Sequence, residues 1–428
     1  MSNKTFNLGN KADGRFIYTS RFNTTFISFH FYLPLNSNTM AEDALLPYII
    51  TSCCDEYKSF TELNVKLLKL YGAELSCSVS KSGDYLHTRI GINVINNSFA
   101  YDNENIIKEA ADLLVLLIFK PSLSNEGFFH KADLDREKRK TEERIDSEIN
   151  NKRSYARTKL LELMFANEPY GKFIYGTRAE VEQIDEASAY FAWKRLLENS
   201  YIQLNVIGNQ LPEGLFESVT EHLSSFDRSK LETPLPTNPI IPSETVNHST
   251  EHMDITQGKL VMGFSSEISG SLKKSLSLML STDIFGGGPY SRLFTNVREK
   301  QSLCYYCSAS QRRSKGFVIV DCGVDGENAV QAEKAILAEL DELKKGNIED
   351  FRIEASKKSV IDSLLSYNDS AAALDMWYSM DIEDKNFMTP EDAVELIRNV
   401  SKDSIVTALK GIKLHSVYKL LPNKENRK

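Results

Sequence analysis

An internal repeat is the feature that most constrains how this 428-residue chain can fold. Residues 75–94, LSCSVSKSGDYLHTRIGINV, are followed by ENIIKEAADLLVLLIF and then by HKADLDREKRKTEERIDSEI. Residues 305–324, YYCSASQRRSKGFVIVDCGV, are followed in the same order by ENAVQAEKAILAELDELKKG and NIEDFRIEASKKSVIDSLLS. The repeat predicts two homologous halves, each containing two strands joined by a polar turn and then two helices.

The hydrophobic pattern supports these element predictions. Leu86, Ile90 and Val94 alternate with polar residues, which is typical of a half-buried strand, and 318–324 repeats the pattern. Leucines and isoleucines at helical spacing mark the amphipathic stretch that follows in each half. We therefore expect an α+β fold with two homologous domains, each an antiparallel sheet with helices packed on one face.

A change in composition separates the two halves. The stretch RSKLETPLPTNPIIPSETVNHST is rich in Pro, Ser and Thr and poor in large apolar residues. This composition is typical of an extended connection. The sequence predicts an N-terminal α+β domain over residues 1–226, a linker over 227–250 and a C-terminal α+β domain over 251–428.

The overall composition narrows the class of protein. With 41% hydrophobic and 26% charged residues the chain is expected to be soluble and globular, and a net charge of −8 gives no reason to expect nucleic-acid binding. We find no apolar run long enough to span a membrane, and no membrane partner is expected. The first twenty residues, MSNKTFNLGNKADGRFIYTS, lack the apolar stretch of a secretory signal, so the cytoplasm is the expected compartment.

Residues 248–252, HSTEH, match the zinc-peptidase pattern H-x-x-E-H. Two histidines at this spacing converge on one ion only on a helix, yet the segment follows the linker prolines and precedes an alternating stretch. On a strand, His248 and His252 would lie about 13 Å apart. We interpret HSTEH as a solvated linker end, and a zinc site here is the minor alternative. The remaining histidines stand alone in the sequence: His30, His87, His130, His222 and His415.

The six cysteines do not suggest a disulfide scaffold in a chain of this length. Cys304 and Cys307 form a C-x-x-C in SLCYYCSAS, which reads as a strand. Residues i and i+3 of a strand point to opposite faces. We therefore expect no metal or redox role for this pair.

The most distinctive segment is FGGGPYSRLFTNVREKQSLCYYCSAS, residues 285–310. No G-K-[ST] follows its glycines, so a nucleotide-binding loop is not expected. The run Gly286, Gly287, Gly288 predicts a flexible loop ahead of a helix that begins near Ser291. Arg298 lies on that helix, and Tyr305 follows on a strand.

This segment resembles the second-domain motif of the pitrilysin/insulinase family of zinc metallopeptidases, the inverzincins. EPYGKFIYGTRAEVEQI is similar to another stretch of that family, and RFNTTFISFHFYLPLNSNTMAEDALLPYII resembles its bacterial YfmF-type subgroup. The resemblance implies two homologous α+β domains, arranged as in the half-clamshell of mitochondrial processing peptidase. The YfmF-type subgroup lacks the zinc motif and is named for an association with elongation factor P modification.

The chain departs from the family at the metal ligands. Where active members carry H-x-x-E-H in the first domain, this chain has Ala44, Pro47 and Tyr48. None of these side chains replaces a neutral imidazole on zinc, and proline cannot act as a base. The family's further ligand is a glutamate on a later helix. The carboxylates available there, which we expect to form a solvated helix face, are Glu142, Glu143 and Glu148.

The resemblance implies a non-catalytic subunit with no catalytic or metal-binding residue of its own. A zinc-bearing homologue would be its partner in a heterodimer, although a homodimer is possible for the chain alone. The pair would enclose a chamber for peptide substrates, with Arg298 and Tyr305 reaching the substrate beside the partner's zinc. The alternatives are a scaffold or peptide-binding protein without proteolytic function, and an independent zinc peptidase that uses His248 and His252.

Overall fold

A computed structural model describes residues 2–9, 11–229, 231, 237–270, 272–380 and 388–423. Within these residues eleven strands form a six-stranded and a five-stranded sheet. The strands are β1 (Ser2–Asn7), β2 (Ala12–Tyr18), β3 (Thr24–Pro34), β4 (Glu74–Ser82), β5 (Tyr85–Ile95), β6 (Tyr201–Gly208), β7 (Asn247–Met253), β8 (Gly258–Ser265), β9 (Tyr306–Arg312), β10 (Phe317–Val324) and β11 (Lys413–Pro422).

The same residues form fourteen α-helices and one π-helix, Leu293–Lys300. None of these helices combines the length and apolar character needed to cross a bilayer. The α-helices are α1 (Met40–Ile50), α2 (Phe60–Lys69), α3 (Ile106–Phe119), α4 (Lys131–Asn150), α5 (Lys152–Met164), α6 (Arg178–Glu182), α7 (Glu186–Asn199), α8 (Leu215–Ser224), α9 (Leu272–Gly286), α10 (Ala329–Lys344), α11 (Asp350–Leu365), α12 (Ala371–Ser379), α13 (Pro390–Arg398) and α14 (Lys402–Lys410).

The two sheets repeat one topology. In the first sheet the order is β1-β2-β6-β3-β5-β4, and in the second it is β7-β11-β8-β10-β9. When β1 is left out, the two sheets have the same pairings. Each begins with one parallel pair, which is β2 with β6 in the first sheet and β7 with β11 in the second, and continues with three antiparallel pairs. The internal repeat and the α+β class predicted from the sequence are confirmed.

One face of the first sheet is apolar and packs against helices, as the alternation predicts. Phe29 on β3 contacts Phe119 at the end of α3, with ring centroids 6.0 Å apart. Ile90 and Ile92 on β5 are completely buried. Each such side chain contributes about 1.5–3 kcal/mol through loss of apolar surface from water.

The opposite face of this sheet is polar, and α12 covers it. Asp375 on α12 is fully buried and accepts hydrogen bonds from Ser28 Oγ at 2.7 Å, Arg89 Nε at 2.7 Å and Asn205 Nδ2 at 2.9 Å. His30 Nε2 lies 3.0 Å from the same carboxylate, and its Nδ1 lies 2.9 Å from His87 Nε2. A buried charge surrounded by this many partners fixes α12 on strands β3, β5 and β6.

His30 and His87 stand alone in the sequence but are neighbours in the fold. His30 and His87 are 57 positions apart, and they meet because β3 and β5 are antiparallel neighbours. The side chains face the same side of the sheet. Tyr32 stacks on the ring of His87, with centroids 4.6 Å apart, and Tyr32 donates a hydrogen bond to the Ser379 carbonyl at 2.6 Å.

The chain divides into two compact units, each assembled from three stretches. Unit 1 contains Met1–Asp146, Ile174–Leu235 and Tyr367–Phe387, and unit 2 contains Ser147–Phe173, Pro236–Ser366 and Met388–Lys428. Each sequence half therefore gives one helical segment to the other half's unit. A linear division into 1–226, 227–250 and 251–428 cannot represent this exchange, and residues 230 and 232–236 of the predicted linker lie outside the described residues.

In unit 2 the exchanged helix is α5. Arg153 Nε and Arg157 Nε lie 2.7 and 2.6 Å from Asp321 Oδ2 on β10, and Asp321 is buried. Met164 at the end of the helix packs against Gly263, where an added methyl group would clash with the Met164 sulfur. Both units thus place a buried aspartate between a sheet and an exchanged helix.

We predict that Asp375→Asn lowers the free energy of unfolding by about 3 kcal/mol, because it removes the charge that pairs with the partly buried Arg89 inside a buried hydrogen-bond network. Urea unfolding monitored by circular dichroism measures this change. Asp362→Asn, on the exposed face of α11, is the matched control and should change stability by less than about 0.5 kcal/mol. Equal effects of the two substitutions would contradict the central position of Asp375.

We also predict that stability falls as the pH drops below about 6.5. Burial holds the pKa of His87 well below its ordinary value, with His30, Arg89 and Asp375 as the nearby polar groups. As the pH falls, His87 therefore takes up a proton in the unfolded chain but not in the folded chain. The free energy of unfolding decreases as a result, by up to about 1.4 kcal/mol per pH unit. The urea midpoint should change less between pH 7 and pH 5 in His87→Gln than in the parent chain. His252→Gln, at an exposed strand position, is the control and should behave as the parent does.

Candidate functional site

The first candidate site lies on α1, at the positions where the resemblance places the metal ligands. Ala44 and Pro47 are buried, and Tyr48 is partly buried. Pro47 lies inside the helix, and its carbonyl accepts a hydrogen bond from Thr51 Oγ1 at 2.7 Å. Ala44 and Pro47 present hydrocarbon only, so Tyr48 is the one polar side chain among the three.

The phenol of Tyr48 is engaged by a cation and a second phenol. The Arg144 guanidinium carbon lies 3.9 Å from the centroid of the Tyr48 ring, and the Tyr48 and Tyr175 hydroxyls are 3.0 Å apart. Burial raises the pKa of Tyr48 above its ordinary value, and the bond to Tyr175 acts in the same direction. A neutral phenol beside a guanidinium is a poor environment for a divalent cation.

The resemblance offers three carboxylates of α4 as possible metal ligands; two of them have other hydrogen-bond partners and the third is exposed. Glu142 Oε2 accepts a hydrogen bond from Arg178 Nη2 at 2.9 Å. Glu148 accepts from Ser154 Oγ at 2.8 Å and Thr158 Oγ1 at 2.6 Å, and all three belong to unit 2. Glu143 is exposed. The residues of this site therefore do not fit the zinc that the family resemblance implies.

The second candidate site is the glycine-rich motif in unit 2. Gly286 ends α9, and a side-chain Cβ there would come within 2.5 Å of the Ala309 backbone nitrogen. None of the three glycines in the run has a positive φ. The run does lie between two helices, but at Gly286 glycine is required by the close approach of the helix to β9 rather than by φ.

Arg298 lies near the end of the π-helix, which begins close to the predicted position. Its guanidinium is partly exposed, stacks over the Phe294 ring at 4.5 Å and has Nε 3.6 Å from Glu299 Oε1. Such π-helical turns occur frequently at functional sites. The stretch after it turns sharply, because Ser302 adopts a left-handed φ of 51°.

Tyr305 is exposed, with 56% of its surface accessible. Its hydroxyl donates to Asp325 Oδ1 at 2.9 Å, and this bond raises the pKa of the phenol. Its backbone N–H donates to the Gly323 carbonyl at 2.8 Å, which holds it at the start of β9. The assignment of Arg298 and Tyr305 to substrate binding stays a prediction.

The expectation that Cys304 and Cys307 point apart is wrong. β9 begins at Tyr306, so Cys304 precedes the strand and does not follow its alternation. Cys322 is the direct antiparallel partner of Cys307. Among the described residues, the three sulfur atoms of Cys304, Cys307 and Cys322 form the one group of potential metal ligands, all within 4.8 Å of one another.

The prediction that HSTEH is the end of an extended linker is wrong, because Asn247–Met253 forms β7 and pairs with β11 in the second sheet. His248 and His252 are exposed on the same face of this strand, which pairs in parallel with β11. Glu251 points to the other face and accepts hydrogen bonds from Tyr155 and Tyr418. The glutamate is therefore engaged away from both histidines, and the arrangement does not form a metal site.

Comparisons with known proteins agree with this geometry. Residues 187–360 match the model of the Peptidase M16 inactive domain. The chain is 25% identical to the probable inactive metalloprotease YmfF of Bacillus subtilis, over 94% of each chain.

Solved structures show the same fold. A conserved protein from Enterococcus faecalis V583 superposes with a TM-score of 0.90 and 26% identity, covering 99% of each chain. A peptidase M16 inactive domain from Pseudomonas fluorescens superposes with a TM-score of 0.80 and 13% identity, again over 99% of each chain, a likeness of fold alone. The resemblance found in the sequence is confirmed.

We predict that Arg144→Ala destabilises the protein by about 1 kcal/mol, because a partly desolvated cation–π contact contributes about 0.5–2 kcal/mol. Chemical unfolding of the purified variant measures the loss. Arg139→Ala removes an exposed arginine from the same helix and serves as the control. Equal stabilities of the two variants would show that the stacking on Tyr48 contributes nothing.

Proposed function

We propose that this chain, an inactive relative of the pitrilysin/insulinase (M16) peptidases, works as the non-catalytic subunit of a peptidase whose zinc is carried by a homologous partner. The observation that carries the proposal is the replacement of the ligand set on α1 by Ala44, Pro47 and Tyr48, with Arg144 over the phenol. The second-domain motif is nevertheless present, and its Tyr305 is exposed.

The exposed groups of that motif suit peptide binding. Arg298 and Glu299 are 3.6 Å apart and partly exposed, and such a pair contributes little and separates readily. A free guanidinium donates paired hydrogen bonds to peptide carbonyls. A phenol donates to an oxygen that develops negative charge, once Tyr305 releases Asp325.

The sheets also offer a means of holding an extended peptide. β4 is an edge strand of the first sheet, and β9 is an edge strand of the second. A peptide that adds to such an edge is bound through its backbone, so affinity depends little on its sequence. This mode suits a chamber that accepts varied peptides.

An exposed apolar patch supports association with a partner chain. On α2 and the turns after β5, Leu68 is 71% exposed and Tyr101 is 76% exposed. Tyr71 joins them, because its hydroxyl accepts a hydrogen bond from the Tyr101 N–H at 2.8 Å. Large apolar side chains exposed to solvent, as here, are common at interaction sites.

A second candidate function is that of a scaffold or peptide-binding protein without any part in cleavage. It is favoured by the hydrogen bond that already occupies the Tyr305 hydroxyl at Asp325. The third reading, an independent zinc peptidase, is disfavoured by the strand conformation of HSTEH. The link to elongation factor P modification and the cytoplasmic location remain predictions.

The proposal is tested by co-expressing the chain with a homologue that carries H-x-x-E-H and measuring cleavage of a quenched fluorescent peptide. We predict that Tyr305→Phe lowers kcat of the pair about a hundredfold, because one oxyanion donor is lost. Arg298→Ala should raise KM, because it removes contacts to the peptide backbone.

Matched controls separate these effects from damage to the fold. Lys300→Ala removes an exposed cation from the same π-helix, and Tyr18→Phe removes an exposed hydroxyl from β2. Both should cleave as the parent pair does. Cleavage unaffected by Arg298→Ala and Tyr305→Phe would reject the composite site and favour the scaffold function.

A further inference from the structure

We propose that Cys304, Cys307 and Cys322 form a three-thiolate site in unit 2 for a single thiophilic d10 cation, either Zn²⁺ or Cu⁺. The site lies on β9, β10 and the turn before β9, whereas the family's zinc position lies on α1. It does not rest on the proposed function, because it requires neither a partner chain nor a peptide.

The fold brings the three sulfurs together in two steps. Cys307 and Cys322 are directly opposite in the antiparallel ladder, so their side chains share one face of the sheet. Cys304 comes to this face through the turn at Ser302, and the bond from Tyr305 N–H to Gly323 holds the turn against β10.

The distances suit a metal ion. The three sulfurs lie within 4.8 Å of one another. Around an ion with metal–sulfur bonds of about 2.3 Å, three ligands lie roughly 3.8–4.0 Å apart in tetrahedral or trigonal geometry. Small rotations of the cysteine side chains therefore close the site without movement of the strands.

The donor set and its surroundings select the class of ion. Thiolates prefer Zn²⁺ and Cu⁺ over harder cations. Cys307 and Cys322 are buried and Cys304 is half-buried, so protein shields most of the site from water.

Binding is a ligand exchange without electron transfer. Three sulfur–metal bonds form, three S–H bonds break, and the protons pass to solvent or buffer. A disulfide would instead join two of the thiols, leave the third unpaired and require an oxidant. The metal complex uses all three.

An ion here would link the turn to both strands. Arg298 lies six residues before Cys304, and Tyr305 directly follows it. Both therefore belong to segment 298–305, which the ion would hold through Cys304. We expect bound metal to reduce the mobility of this segment.

The test titrates the reduced, metal-free full-length chain with Zn²⁺ and, under reductant without oxygen, with Cu⁺, and counts bound ions by native mass spectrometry. We predict stoichiometric binding of at least one of the two ions, and the two titrations show which one. In the unsubstituted chain, the ion should also protect Cys304 from alkylation, a measurement that needs no variant.

Cys307→Ser and Cys322→Ser should each abolish stoichiometric binding, while Cys77→Ser, a partly buried cysteine of unit 1, should bind as the parent does. Circular dichroism verifies that each variant is folded. The proposal is overturned if the parent chain binds neither ion, or if Cys304 is alkylated equally with and without metal. It is also overturned if the mass of the parent chain is lower by two hydrogens under reductant, because that mass shows a persistent disulfide.

Discussion

The buried carboxylate of Asp375 is the interaction on which the architecture of unit 1 depends. It lies on α12, which belongs by sequence to the second half, and it is held by side chains from three strands of the first sheet. Desolvation alone would raise its pKa, but His30 and Arg89 hold the pKa below its ordinary value, so the group stays charged at neutral pH. Moving α12 away from the first sheet would leave this buried charge without its partners, so the aspartate favours the observed packing of α12.

Unit 1 lacks the metal ligands of the family, whereas unit 2 has the arginine and tyrosine of the second-domain motif. On α1, hydrocarbon and a phenol occupy the positions of metal ligands, and a guanidinium lies over the phenol where a cation would otherwise be attracted. In unit 2, Arg298 is partly exposed on the π-helix, and the exposed Tyr305 directly follows Cys304 of the three-thiol cluster. In the function we propose, a partner chain supplies the zinc and the general base, and unit 2 supplies side chains that contact the peptide.

The sequence predicted what depends on local pattern. The internal repeat and the strands on either side of each polar turn follow from periodicity, and the structure contains them. The strand at HSTEH was not predicted, because it pairs with β11, which is distant in sequence. The meeting of His30 with His87 and Asp375 could not be predicted, because it depends on strand register and on a helix distant in sequence. The thiol cluster was missed because the strand was expected to include Cys304, whereas it begins two residues later. A division of the chain into consecutive domains cannot represent the exchanged segments, because each unit contains residues from both sequence halves.

The most direct measurement of the central claim is metal-dependent peptide hydrolysis by this chain on its own. The purified chain is supplied with Zn²⁺ and incubated with unstructured peptides, and cleavage is followed by mass spectrometry in the presence and absence of a chelator. We predict no cleavage above the buffer control, because α1 supplies neither an imidazole nor a general base. Cleavage that requires zinc, co-purifies with the chain and disappears with the chelator would contradict it.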